Sequence, residues 1–158
     1  MSKRVILVHE YSQNNDTYYG FDVINKVANN YQEIVNQSLL SIGEYNQERK
    51  LIIHTWGEKK HDEPDCQTTF DVTKFSTKTD RDIRNIDGRH ESIQNAIIQH
   101  PIYDILIETI IREIEDNNLE KISFVCNHGK HRSVGWAEIL KKFYYKNSIV
   151  KHIRFKEI

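Results

Sequence analysis

The chain of 158 residues carries only two cysteines, almost no net charge and no long apolar run, and each shortage excludes a class of protein. Two thiols, Cys66 and Cys126, cannot build a disulfide-stapled scaffold. Cys66 has no partner at zinc-finger spacing and His54, His61, His90, His100 and His152 are dispersed, so no metal and no cofactor is expected. No stretch reaches the about 18 apolar residues that a membrane span needs. The run Val5-Ile6-Leu7-Val8 is too short for a signal peptide and lacks a small-residue cleavage site after it. A soluble, cytoplasmic protein with no membrane association is therefore expected. In that compartment thiols stay reduced, so a Cys66–Cys126 disulfide, though allowed by count, is not anticipated. A net charge of −1 argues against wholesale binding to a nucleic-acid backbone. No G-x-x-x-x-G-K-S/T motif, internal repeat or low-complexity segment occurs.

What is there begins with enough apolar residues, 38%, for a modest core, and a length that fits a single domain spanning residues 1–158. The apolar run at residues 5–8 reads as a first strand, followed by a polar loop over residues 12–17. Ile24, Val27, Ala28, Tyr31, Ile34, Val35, Leu39 and Ile42 recur at helical spacing, with Asp22 as N-cap and Gly43 near the stop. Residues 50–55 and 68–72 read as strands, separated by a long polar loop over residues 57–67 that contains Pro64. Residues 77–89 are charged and read as a surface or functional loop. Residues 91–118 are helical with an interruption at Pro101, which should start the second helix; Ile102, Ile105, Leu106, Ile110 and Ile114 share its inner face. A buried strand over residues 122–126, a helix over residues 133–145 with Trp136, Leu140 and Phe143 inward, and a last strand over residues 150–155 complete the pattern. Strands alternating with helices imply an α/β fold, a single-domain three-layer sandwich with a mostly parallel sheet, which residues 1–50 join through their strand and helix.

Chemistry concentrates in Cys126-Asn127-His128-Gly129-Lys130-His131-Arg132-Ser133, between a strand and a helix. Ligands of open α/β sheets sit beyond the carboxyl ends of strands, where a following helix offers unpaired N–H groups and the positive end of its dipole. Gly129 lets the backbone curl so that successive amides converge on one anion. Arg132 is a two-pronged donor suited to phosphate, Ser133 can cap the helix, and Lys130 and His131 add charge or donors. Residues 119–158 carry a charge of +6 against −7 for residues 1–118. That asymmetry can draw an anion to one face, although Lys141, Lys142 and Lys146 also fit the solvated side of a helix.

The same loop has the C-x5-R-S spacing of cysteine-dependent phosphatases. A thiol at a helix N-terminus beside an arginine can act as a nucleophile, with Asp87 as the first candidate for the general acid and Asp82 the second. The alternative for Cys126 is a small buried residue that ends a strand. Val125 stands where those phosphatases carry histidine.

The loop also resembles the C-terminal domain of the RapZ-type RNase adapter proteins, whose form is Cys-x-Gly-Gly-Lys/Gln-His-Arg-Ser-Val leading into a helix with Ala-Glu. Here the matching residues are Cys126, Gly129, Lys130, His131, Arg132, Ser133, Val134, Ala137 and Glu138. Upstream, Thr55-Trp56-Gly57 resembles the family's Ser-Phe-Gly, Phe70-Asp71-Val72-Thr73 its Phe-Asp-Val-Arg, and the segment Ile83-Arg84-Asn85-Ile86-Asp87-Gly88 its Leu-Arg-x-x-x-Gly. Thr73 replaces an arginine and His128 a glycine. The resemblance covers about residues 51–158, and residues 1–50 have no counterpart. It implies a pocket for an amino-sugar phosphate, with the loop on the phosphate and Asp71 and Arg84 helping from adjacent elements. A carboxylate such as Asp71 suits a sugar hydroxyl or an ammonium group, and Arg84 a second clamp; the competing role for the two is an internal ion pair. Family members also bind small RNA and form oligomers.

Three readings follow. The first is a binding or regulatory module for a phosphorylated small molecule, a sugar phosphate or nucleotide sugar. The second is a cysteine-dependent phosphatase or phosphotransferase using Cys126, Arg132 and Asp87. The third, weaker, is an RNA-binding adapter that uses the basic C-terminal segment. A homo-oligomer is compatible with all three.

Overall fold

The computed structural model describes residues 4–8, 10–13, 16–19, 45–77 and 82–155. Five strands form an all-parallel sheet: β1 (Arg4–Leu7), β4 (Ile52–Gly57), β5 (Thr68–Asp71), β6 (Lys121–Cys126) and β7 (Ile149–His152), in the order β1-β5-β6-β4-β7. β6 lies at the centre. Its residues from Ile122 to Cys126 are all buried, as a strand covered on both faces requires, and their β-branched and aromatic side chains suit that place. Register aligns the carboxyl ends: Gly57 pairs with Cys126 and Asp71 with Val125. The loops that leave β4, β5 and β6 therefore emerge together at one edge of the sheet.

Three helices follow the strands: α1 (Glu91–Ile98), α2 (Tyr103–Asp116) and α3 (Arg132–Phe143). All three contribute to one apolar core with Ile6, Phe70, Ile122, Phe124 and Cys126, which the two-residue alternation of strands places on one face of the sheet. Trp136 of α3 is stacked against Tyr103 at 5.7 Å and Phe124 at 6.5 Å, with Phe75 edge-on at 5.3 Å. Gly135 lets α1 approach, since a Cβ there would lie 2.6 Å from Ile97 Cδ1. The other sheet face holds a buried polar cluster in which the Trp56 indole N–H donates to Ser123 Oγ at 3.1 Å and Ser123 Oγ meets Thr69 Oγ1 at 3.0 Å. Cys66 joins that cluster, and both cysteines are free and buried.

Architecture and sheet direction are as the alternating pattern implies, and β1 joins the sheet beside β5. The expected helix around Ile24 to Ile42 lies outside the described residues. Several boundaries differ for local reasons. The segment read as a loop over residues 12–17 instead contributes to an antiparallel pair, β2 (Glu10–Gln13) with β3 (Asp16–Tyr19), where polar residues flanking aromatic ones mask the strand signal. Pro101 does not open α2. The helix starts at Tyr103, after a turn in which the Ile102 amide donates to His100 Nδ1 at 3.2 Å. Phe143 is 48% exposed rather than inward, with the Lys142 ammonium over its ring. The last strand stops at His152 and passes into a 3-10 turn, Ile153–Phe155, which brings the Phe155 ring under the Arg89 guanidinium at 4.0 Å.

Candidate functional site

The chain leaves β6 at the buried Cys126, bends through residues 127–131 and enters α3 at Arg132. Gly129 adopts φ +69°, the left-handed region open to glycine. Its partner is Gly57 at the end of β4. A Cβ on Gly57 would lie 2.3 Å from the His128 carbonyl carbon, and one on Gly129 would lie 2.7 Å from the Gly57 nitrogen. Two residues without side chains thus let the loop rest on the strand end.

All but one of the carbonyls from Cys126 to His131, the exception being Gly129 O, are taken up among the described residues. The Glu58 amide donates to Cys126 O at 2.9 Å, the Lys59 amide to Asn127 O at 3.0 Å, the Gly88 amide to Lys130 O at 2.8 Å and the Gly135 amide to His131 O at 2.8 Å. Arg154 donates to His128 O at 3.0 Å. The amides are not. From Asn127 to Val134 none has an acceptor among the described residues, and the N-cap His131 supplies no side-chain bond to the helix. A segment whose oxygens are mostly bonded and whose N–H groups are not, at the positive end of a helix, offers donors to an anion.

The side chains of the loop mostly hold neighbouring segments. Arg132 Nη1 donates to Thr73 O at 2.5 Å and Phe75 O at 3.0 Å. Lys130 donates to Arg84 O at 2.6 Å. His131 Nε2 faces Ile83 O at 2.9 Å and Ile86 O at 2.8 Å, two acceptors that require the hydrogen on that nitrogen. Ser133 does not cap the helix. It lies inside the first turn, and its hydroxyl accepts the Cys126 S–H at 3.1 Å. His128 is exposed at the rim; its desolvation, and then the charges of Lys60, Lys59, Arg154 and Arg132, push its imidazole below the ordinary value.

Asp71, at the end of β5, accepts the Thr73 amide at 2.9 Å. Arg84 is not its partner: the guanidinium forms an exposed ion pair with Asp82 at 2.6 Å. Asp87 pairs with Arg89 at 2.7 Å. Burial raises the Asp87 carboxyl, but the bonds from the Arg89 side chain and amide outweigh it and hold the group below the usual carboxylate range. Arg84 also holds Asp82 low. Both acid candidates are thus set up as carboxylates rather than proton donors at neutral pH.

Below the loop, the Thr55 hydroxyl meets His152 Nδ1 at 2.8 Å and His152 Nε2 meets Glu138 at 2.9 Å. This chain ties β4 and β7 to the second turn of α3. Glu138 and Thr55, both in the family-like segments, therefore act beneath the loop rather than in it. Three cations that the motif reading passed over, Lys59, Lys60 and Arg154, flank it. Their signal was position: Lys59 and Lys60 follow the carboxyl end of a strand, where ligands of such sheets gather.

No match was found among curated proteins. A family model described as the RapZ C-terminal domain matches residues 49–158, which takes in every element from β4 to β7 and the whole of the loop. With well over half of its length so matched, the chain belongs to the RapZ C-terminal domain family.

Proposed function

We propose that the protein is a regulatory module that binds a phosphorylated small molecule, a sugar phosphate or nucleotide sugar, with the phosphate on the loop from Asn127 to Ser133. The observation that carries this reading is the row of amides from Asn127 to Val134 without an acceptor among the described residues, beside a loop whose carbonyls, Gly129 O apart, are bonded. Arg132 supports it. Held by Nη1 on two carbonyls, the guanidinium retains its other N–H groups for a phosphate oxygen. Asp71 at the neighbouring strand end is the acceptor for a sugar hydroxyl or an ammonium group. Inorganic phosphate should raise the melting temperature of the wild-type protein, and Arg132→Ala should remove the shift. If no phosphate, sugar phosphate or sulfate changes the melting temperature, the reading fails.

The phosphatase reading has one feature in its favour, the contact of the Cys126 S–H, which donates to the Ser133 hydroxyl at 3.1 Å. Against it, the two carboxyl candidates for its acid, Asp87 and Asp82, are both held below the usual carboxylate range. The expected result with an aryl phosphate is no turnover above the Cys126→Ser background. Turnover by wild type that the substitution removes would replace the binding module by an enzyme.

A further inference from the structure

We infer that the ligand carries a second anionic group next to the first, as a diphosphate does, and that Lys59, Lys60 and Arg154 receive it. The inference rests on the phosphate reading of the loop and names the chemistry of what binds there.

The three cations are fixed to the loop through the backbone. The turn after β4 is joined to it by the Glu58 and Lys59 amides on Cys126 O and Asn127 O, and is closed on itself by the Lys60 amide on Gly57 O at 3.0 Å. His61 steadies the same turn, because its Nδ1 accepts the Gly57 amide at 2.9 Å. From the other side Arg154 reaches His128 O. The exposed His128 lies near these groups: desolvation first, and then the charges of Lys60, Lys59, Arg154 and Arg132, lower its imidazole.

Partners distinguish Arg154 and Arg132 from the other described arginines, whereas none of the described lysines forms an ion pair among the described residues. Arg4, Arg49, Arg84, Arg89 and Arg112 each form an ion pair with a carboxylate. Lys59, Lys60 and Arg154 form none among the described residues, and neither do Lys130 and Arg132 of the loop itself. The two described arginines without an ion pair thus both lie where the free amides are, with Lys59, Lys60 and Lys130 beside them. Like charges held together repel, and an anion relieves that repulsion. With one phosphate on the amides, the three cations tethered beside the loop offer charge for a second anionic group next to it. A nucleic acid fits less well, because it needs a basic surface extending over several phosphates and this patch is confined to the rim of one loop.

Calorimetric titration of the full chain with orthophosphate and with pyrophosphate tests this. Pyrophosphate should bind at least about tenfold more tightly than orthophosphate. The double variant Lys59→Ala/Lys60→Ala, and separately Arg154→Ala, should lose most of that advantage yet keep the affinity for orthophosphate. Lys141→Ala/Lys142→Ala, which removes equal charge from the surface of α3, should keep the advantage. Equal affinities for the two anions in wild type, or an advantage that survives in the Lys59/Lys60 variant, would overturn the inference while leaving the single-phosphate site intact. Binding of neither anion would instead reject the loop as a phosphate site. A variant that loses RNA binding but keeps its pyrophosphate advantage would also overturn the inference, by giving the patch to a different partner.

Discussion

At the scale of single residues, two kinds of contact decide how the loop keeps its shape. One is close approach. Gly57 has the His128 carbonyl carbon 2.3 Å and the Gly129 nitrogen 2.6 Å from where a Cβ would stand, and both are backbone atoms that cannot swing aside. Gly57→Ala should push the loop off the strand, lowering stability by about 1–3 kcal/mol in a urea titration and weakening phosphate binding as well. An alanine variant as stable as wild type would mean that the loop moves freely on β4. The other contact is the bond from Arg132 to Thr73 O and Phe75 O. Two acceptors on one planar group suit arginine better than lysine, whose charge is a point. Arg132→Lys should therefore keep much of the electrostatic attraction for phosphate but lose the hold on residues 73–75, at a cost of about 1–2 kcal/mol.

At the scale of elements, α2 is bound to the chain that enters β4. Glu115 on α2 accepts from Arg49 at 2.9 Å, from the Tyr145 hydroxyl at 2.7 Å and from the Asn46 amide at 3.2 Å. Burial raises its carboxyl, but these three donors outweigh burial and set it below the ordinary value of 4.5. A carboxyl that is lower in the folded than in the unfolded chain contributes its full stabilisation above the unfolded value. The contribution shrinks as pH falls past that value and is gone below the folded one. Wild type should lose stability on acidification through this window. Glu115→Gln should be less stable at neutral pH by about 1.5–3 kcal/mol and show a flatter decline, as read from urea midpoints across neutral and acid pH. Parallel declines in both proteins would assign the acid sensitivity elsewhere. Elements of this kind were legible in the sequence where one rule governs them: β6 as a continuous buried run, α2 as a repeating apolar face, the loop of residues 127–131 as punctuation between the two. They were illegible where tertiary contacts set the limit. Phe155 leaves the strand pattern for a cation, Arg89, and the start of α2 depends on His100. In the site, residue types pointed to the loop of residues 127–133, but the motif gave no sign that Lys130, His131 and Arg132 spend bonds on carbonyls of residues 73–86. Such partners are distant in the chain.

For the whole molecule, those same bonds couple the site to the rest. β6 is the central strand, paired on both sides, and its amides should be the slowest to exchange with deuterium, well behind those of the edge strand β7. The loop that leaves β6 holds residues 73–75 through Arg132 and residues 83–86 through His131 and Lys130. Anything that orders this loop therefore orders two further segments. A ligand that binds only the folded state adds about 2.7 kcal/mol at a hundredfold excess over its dissociation constant, and the bonds determine where that energy is felt. Phosphate should slow exchange at residues 127–134, through direct bonds to their amides, and also at residues 72–77 and 82–88, which the anion does not touch. In Arg132→Lys, protection of residues 127–134 should persist in part, while the gain at residues 72–77 disappears and that at residues 82–88, held by His131 and Lys130, remains. Protection confined to residues 127–134 in wild type would show that the three side chains are passive struts. Protection that spreads along the two segments, each by its own side chain, would show that a bound anion is transmitted through the molecule by bonds already present in the free protein.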